Sequence, residues 1–427
     1  MKKLLLVLFF TMFPVLAHGT TYYVAQTGSD SNSCSSAQSQ STPKLTINAG
    51  INCLNGGDTL IVKAGTYPEY VDDTIPSGTA SNPTIVKSEV KGGAVVAVSG
   101  SSGTPSFRIG INTIRQWIVI DGFIVDPQNT QAGFVNVRSP SGTAWHQGSH
   151  DITLQNIEVK PMRAFNACST GLNNVGFGLD DSTYNLTIRN NHIHHIGFDY
   201  VPDNGSCPPG QHVFGDYCIY FSASDSLLEG NELDHCDAYG IHNYVHGQVS
   251  TNNIIRNNYI HDNGWLILLA CGGDKMQFYN NIVANNGGGG LLLGSTCEGA
   301  PSTNSQVYNN TIYHNAGNCI DLGVSGAGVT VTNSLFENNI CYQNSSDVIS
   351  VNNGTGNVID HNLLGTNPLF VNASGGDFHL QSGSPAIDAG VVIPGLSFNG
   401  SDPDLGALET GAGGQLPAPM NLRLIVN

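Results

Sequence analysis

Positive charge is what this chain has least of. Lysine and arginine number 15 against 32 aspartates and glutamates, and the formal net charge is −17. Such a surface repels nucleic acid and anionic membranes, so neither is expected as a partner. It also repels a polyanionic glycan, except where basic residues cluster. Aromatic residues are sparse at 8 %, which argues against a broad aromatic binding face. Beyond the N-terminus no apolar run is long enough to span a bilayer. No CxxC pair with zinc-like spacing occurs.

The N-terminus is the exception. Lys2 and Lys3 precede LLLVLFFTMFPVLA, and polar TTYYVAQTGSDS follows at once. Residues 1–19 therefore read as a secretory signal peptide, cleaved after Ala17 or Gly19. The expected location is extracellular or periplasmic. Export permits disulfides among the 10 cysteines. Cys34–Cys53 is expected to staple the first turn. Cys271–Cys297 and Cys319–Cys341 are expected to join neighbouring coils.

Glycine (52 residues) and asparagine are abundant, and asparagine recurs with a pattern. LTIRNNHI, SLLEGNEL, NIIRNNYI, MQFYNNIV, SQVYNNTI, SLFENNIC and GNVIDHNLL each place a few apolar or β-branched residues before an asparagine. The aligned asparagines are Asn191, Asn231, Asn258, Asn281, Asn310, Asn339 and Asn362. A repeat of this kind is a coil stacked on itself, which makes an elongated solenoid. At a sharp corner an asparagine bonds to backbone and to its counterpart one coil away, and it tolerates left-handed geometry. These residues are read as a structural ladder, not as ligands.

Each coil carries a second short strand: CIYFSA, YGIHNY, WLILLAC, GGLLLGS, CIDLGV and VISVNN. Strand alternation points Ile219, Phe221, Ile267, Leu269, Leu291, Leu293, Ile320 and Leu322 inward. Tyr220, His242, Leu268, Leu292, Asp321 and Ser350 then stand outside. TINAGINCL suits a short amphipathic helix that plugs the first coil, since an open solenoid end exposes apolar side chains. Inserts at residues 139–150, 169–185 and 197–217 place a cleft near the middle of the solenoid. The tail around DFHLQSGSPAIDAG and DPDLGALE reads as closing turns. The domain layout is a signal peptide (1–19), a solenoid (20–410), and a Gly/Pro-rich linker and tail (411–427). A single chain is expected to act as a monomer.

The opening YYVAQTGSDS…TPKLTINAGINCLNGGDTLIVKAGTY and the closing NPLFVN…DFHLQSGSPAIDAG…DPDLGALE resemble the right-handed parallel β-helix superfamily with the pectate-lyase-like fold. The nearest likeness is to secreted bacterial polysaccharide lyases of the alginate lyase and chondroitinase-B type. The resemblance implies an all-β right-handed parallel β-helix with a short N-terminal capping helix. It also implies a lysine and an arginine as base and neutraliser with calcium nearby. Lys160 and Arg163 are a basic pair of that type.

Titratable residues are densest between Lys160 and Asp262. His195, His235 and Asp262 each follow a ladder asparagine by four positions. His194, Asp234 and His261 follow by three, as a parallel column. Tyr220 and His242 should be outward neighbours about 4.8 Å apart. A uronic acid carries an acidic C5 proton beside its carboxylate, and loss of that proton with protonation of the C4 oxygen cleaves the chain. His242 and Tyr220 suit base and acid, in either order. Arg163 or Lys160 suits the carboxylate and the developing enolate. His194, His195, His235 and Asp199 are candidate substrate contacts, and Asp237 with Asp199 a candidate calcium pair. GSDSNS (residues 28–33) and SDPDLG (residues 401–406) offer further calcium texture. The reading is a lyase of an acidic polysaccharide. A glycoside hydrolase would need two facing carboxylates, with Asp180, Asp181, Asp199, Asp216, Asp234 and Asp237 available. A glycan-binding solenoid or a sugar epimerase are the remaining readings.

Overall fold

The computed structural model describes residues 19–98, 104–128, 133–162, 174–180, 182–197, 216–245, 248–264, 268–270, 273–294, 301–323 and 330–411. Three long parallel sheets form one β-helix. Sheet A has 12 strands, from Thr21–Val24 to Val358–Asp360. Sheet B has 11, from Gly65–Tyr67 to Leu363–Leu364. Sheet C has 9, from Phe107–Ile109 to Ser346–Val351. A strip of 5 two-residue strands, from Ser250–Thr251 to Gly354–Thr355, lies between sheets C and A. The rest of each coil supplies the long crossover that a parallel pair requires.

The interior is one continuous column of apolar side chains. Ile188, Leu228, Ile255, Phe278, Val307 and Phe336 line sheet A. Ile193, Leu233, Ile260 and Ile312 line sheet B, and Ile219, Ile241 and Ile320 line sheet C. Branched residues suit this pleated surface. The short helix Ile47–Ile51 covers the first coil, with Ile47 and Ile51 buried. Thr46 caps it by accepting from Ala49 N. A Cβ on Gly50 would come 2.5 Å from Val24 and 2.8 Å from Leu60, so glycine is what lets the helix sit this close.

The A–B corner explains the paired asparagines. The first of each pair (Asn190, Asn257, Asn280, Asn309, Asn338) takes left-handed backbone with φ between 52° and 57°. The second turns its amide inward. Asn191, Asn231, Asn258, Asn281, Asn310 and Asn339 each donate from Nδ2 to the Oδ1 of the next ladder asparagine, ending at Asn362. Each also donates to a carbonyl of its neighbour, as Asn258 does to Leu228 O at 3.0 Å. Buried amides are thereby satisfied on every coil. A second ladder at the B–C corner joins Asn263, Asn286, Asn315 and Asn344 and ends on Asp347.

Cys34–Cys53 and Cys319–Cys341 are bonded as expected. Cys218–Cys236, which sequence spacing did not single out, ties sheet C to the B–C corner. Cys271 and Cys297 lie outside the described residues. The tail departs from expectation. It does not close the solenoid but folds back along its side. Phe370–Asn372 and Asp377–Leu380 form an antiparallel pair, and Phe378 and Leu408 pack on Tyr259, Ile282, Ala284 and Tyr313 outside sheet B. The final coil consequently leaves Val348, Val351, Val358 and Ile359 exposed. In both stretches of calcium-like texture a carboxylate is engaged by the chain itself. Asp30 accepts from Leu45 N, Thr46 N and Thr46 Oγ1. Asp404 accepts from Asp388 N, and Asp388 from Ser401 N.

Candidate functional site

The outer face of sheet C carries one register row: Arg108, Asn136, Gly178, Tyr220, His242, Leu269, Leu292, Asp321 and Ser350. Tyr220 and His242 are adjacent, as the alternation predicts. Leu269, not Leu268, occupies the row. In ILLA four apolar residues run together, so alternation gives no phase, and a one-residue slip exchanges the faces.

Tyr220 and His242 meet edge to face with ring centroids 5.3 Å apart. Tyr217 lies 4.6 Å from His242, Tyr239 stacks on it at 5.0 Å, and Tyr244 lies at 5.7 Å. His242 is only 7 % exposed, while Tyr220 is half-buried. Burial pushes the phenols of Tyr217 and Tyr239 up, so both are protonated donors at neutral pH. This cluster is separate from the interior column.

Beside the row is a groove of about 620 Å³ lined by Arg138, Ser139, Thr143, Trp145, Asp180, Ser182 and Gln248. The insert at 139–150 builds one wall, as its sequence suggests. Arg138 and Asp180 form an ion pair at 3.3 Å. They lie two residues beyond Asn136 and Gly178, about 6.6 Å along the strand direction, just past the strand ends. The aromatic cluster and the groove are therefore parts of one surface.

The histidines form a different strip, on sheet B. His194, Asp234 and His261 share one column, and Glu158, His192, Glu232 and Tyr259 share the next. His195, His235 and Asp262 take the left-handed corner position, with φ of 55°, 51° and 54°. The His195 and His235 rings stack 4.5 Å apart at 4°. Asp234 is central: His192 donates to its Oδ1 at 2.8 Å and His235 to its Oδ2 at 2.6 Å. Burial opposes its charge, but those two hydrogen bonds win and hold the carboxyl far below the usual carboxylate range. His261 is likewise desolvated, yet its hydrogen bond to Asp262 and the Glu232 carboxylate 3.5 Å away push it up to about 9. His195 is driven the other way, to about 4, by burial and then by His235 and His194.

Sequence reasoning put the histidine columns on one face and Tyr220 with His242 on the next, and the structure assigns these faces to sheets B and C. Tyr220 and His242 converge on sheet C. His194, His195 and His235 converge on sheet B. Lys160 also lies on sheet B, where its Nζ is 3.8 Å from Asp126. Arg163, Asp181 and Asp199 lie outside the described residues. Asp237 stands at the B–C corner, its N–H donating to Ile196 O. It belongs to neither of the two metal-type groups among the described residues, His195–Asp234–His235 and His192–Glu232–Asp234. Asp216 is buried and accepts from Asn174 N at 2.7 Å. Arg138 and Trp145 were missed. The available signal was that Arg138 directly precedes the 139–150 insert and Trp145 lies within it.

The pectate lyase Pel9A structure resembles this chain with a TM-score of 0.59 and 17 % identity, over 91 % of this chain and 96 % of that one. The Dettilon tailspike protein (gp208) aligns at 0.48 and 15 %, over 80 % and 66 % of the two chains. An alginate lyase from Paenibacillus sp. str. FPU-7 aligns at 0.42 and 15 %, over 74 % and 96 %. At these identities the likeness is one of fold. No curated protein matches the sequence. No helix among the described residues is long and apolar enough to cross a membrane. The family model "Right handed beta helix region" matches residues 121–307 and 176–364, together more than half of the chain, and the protein belongs to that family.

Proposed function

We propose that this protein is a secreted carbohydrate-active enzyme that cleaves a uronate-containing polysaccharide by β-elimination on the outer face of sheet C. The observation that carries the reading is the convergence of His242 and Tyr220 beside a groove that holds an arginine. At neutral pH an imidazole is the natural base and a phenol the natural proton donor. His242 takes the C5 proton, and Tyr220 gives a proton to the C4 oxygen as the glycosidic bond breaks. Arg138, three coils along the same face, binds a uronate carboxylate elsewhere on the polymer and holds the chain in the groove. Trp145 offers a face for a sugar ring.

Glycoside hydrolysis is the weaker reading. It requires two carboxylates across the scissile bond, and Asp180 is the one carboxylate among the described residues lining the groove. The test is digestion of alginate, pectate, glycosaminoglycans and neutral glycans, with both reducing ends and unsaturated-uronate absorbance recorded. Both signals should rise together on one acidic glycan. His242→Ala and Tyr220→Phe should each lower the rate by about 10²–10⁴-fold. New reducing ends without the absorbance would replace β-elimination with hydrolysis.

A further inference from the structure

The sheet B strip is remote in sequence role from the proposed chemistry, and its donors are of a different kind. His195, Asp234 and His235 each offer one ligand atom, and these three atoms all lie within 4.8 Å of one another. We propose that they bind one divalent transition metal of the zinc class, which clamps two successive coils at the B–C corner.

Three observations support this. First, solenoid stacking puts the two imidazoles on adjacent coils with ring centroids 4.5 Å apart, and rotation of the two rings out of their parallel stack aims one nitrogen of each at a shared ion that ties one coil to the next. Second, the carboxylate is pre-oriented. His192 holds Asp234 Oδ1 at 2.8 Å, which presents Oδ2 to His235 at 2.6 Å. An outer partner that fixes a ligating carboxylate is a recurring element of metal sites. Third, the donor set discriminates between metals. Calcium takes six to eight oxygens, whereas two imidazole nitrogens and a carboxylate suit zinc and its neighbours. The calcium expected from sequence is therefore not the ion these residues select.

The corner column itself shows which residues this backbone accepts. Other coils place Asp262, Asn285, His314 and Gln343 at the same left-handed position. Asparagine, aspartate and histidine are all favoured by this backbone, so the neighbouring carboxylate is what sets these two coils apart. Histidine occupies two consecutive coils where Asp234 lies beside it. The Cys218–Cys236 disulfide fastens the same corner from the sheet C side, so a metal there adds a second tie close to the cysteine one.

The experiment uses the full-length mature protein without a histidine tag, stripped with a chelator. Zinc and calcium are titrated separately by calorimetry, and thermal unfolding is followed with and without each ion. One zinc per chain should bind and raise the unfolding temperature, since a ligand of the folded state alone stabilises it. Calcium should not compete for it. His195→Asn with His235→Asn preserves the corner, because Asn285 adopts the same conformation with φ 59°. That pair should weaken zinc by more than the roughly 10–100-fold typical of outer-partner changes. His379→Asn, far along the tail, should leave binding intact. If the double variant misfolds, His235→Asn alone gives the same reading. Unchanged zinc affinity in these variants, absence of zinc binding in the wild type, or equal displacement by calcium would each overturn the proposal.

Discussion

Replacing Asn258 with alanine removes a central rung of the first ladder. Its Nδ2 donates to Asn281 Oδ1 at 2.9 Å and Leu228 O at 3.0 Å. Its Oδ1 accepts from Asn231 N and Asn231 Nδ2, both at 2.9 Å. The residue is 1 % exposed, so water does not readily replace these partners. At about 1 kcal/mol net per hydrogen bond, four lost bonds cost about 4 kcal/mol. Groups left buried without partners push the value up, and local relaxation pulls it down. Asn362 is the built-in comparison. It ends the ladder on a partly exposed coil and donates only to backbone carbonyls. Asn362→Ala also removes four bonds, two of them accepted from Asn339 N and Nδ2, but on this partly exposed coil water replaces the partners, so it should cost clearly less. The assay is urea unfolding followed by circular dichroism, with midpoints compared at equal slope. Equal losses for the two variants, or a loss below about 1 kcal/mol for Asn258→Ala, would refute the claim that interior amides hold the corner.

Three more outcomes follow from the same geometry. His261 is raised to about 9, so its stabilising charge is fully present below the ordinary histidine range and is lost as pH climbs through 9. His195 is lowered to about 4, so its neutral form is favoured and stability falls as pH drops from the ordinary range towards 4. Thermal unfolding against pH should fall away on both sides, and His261→Gln should flatten the alkaline side only. Loss of the alkaline limb in His195→Asn instead would reverse the assignment. Removing Cys218–Cys236, which closes a separation of 18 residues, should cost about 3 kcal/mol in chemical unfolding; no loss would mean the corner ladder suffices alone. Arg138→Ala should raise the KM of an acidic polymer by about tenfold or more, as expected for a charged hydrogen bond, while a neutral glycan is unaffected. Equal effects on both substrates would show that Arg138 does not read charge.

The sequence by itself determined the coil. Paired asparagines, short branched strands and a helix-forming plug are local features, and each coil must bury its own apolar row against the next. Once the coils align, the two-residue period places Tyr220 beside His242 and His194 above Asp234 with no further information. The second ladder was equally legible, since NNYIHDN, NNIVANN, NNTIYHN and NNICYQN repeat an asparagine five residues after the first. What only the tertiary structure decided is which groups from separate coils meet across a face. Lys160 and the histidines are close in sequence to Tyr220, but a corner intervenes and turns them onto sheet B. The phase of ILLA, with Leu269 in the outer row, came from its hydrogen-bonded partner because a uniformly apolar run carries no alternation. Arg138 and Asp180, separated by a full coil, meet only through parallel stacking. The tail's return along sheets A and B depends on apolar patches around Tyr313 and Tyr279, which no local pattern in the tail specifies. Register within a coil is a short-range property, while the meeting of faces depends on how many residues each corner and insert consumes.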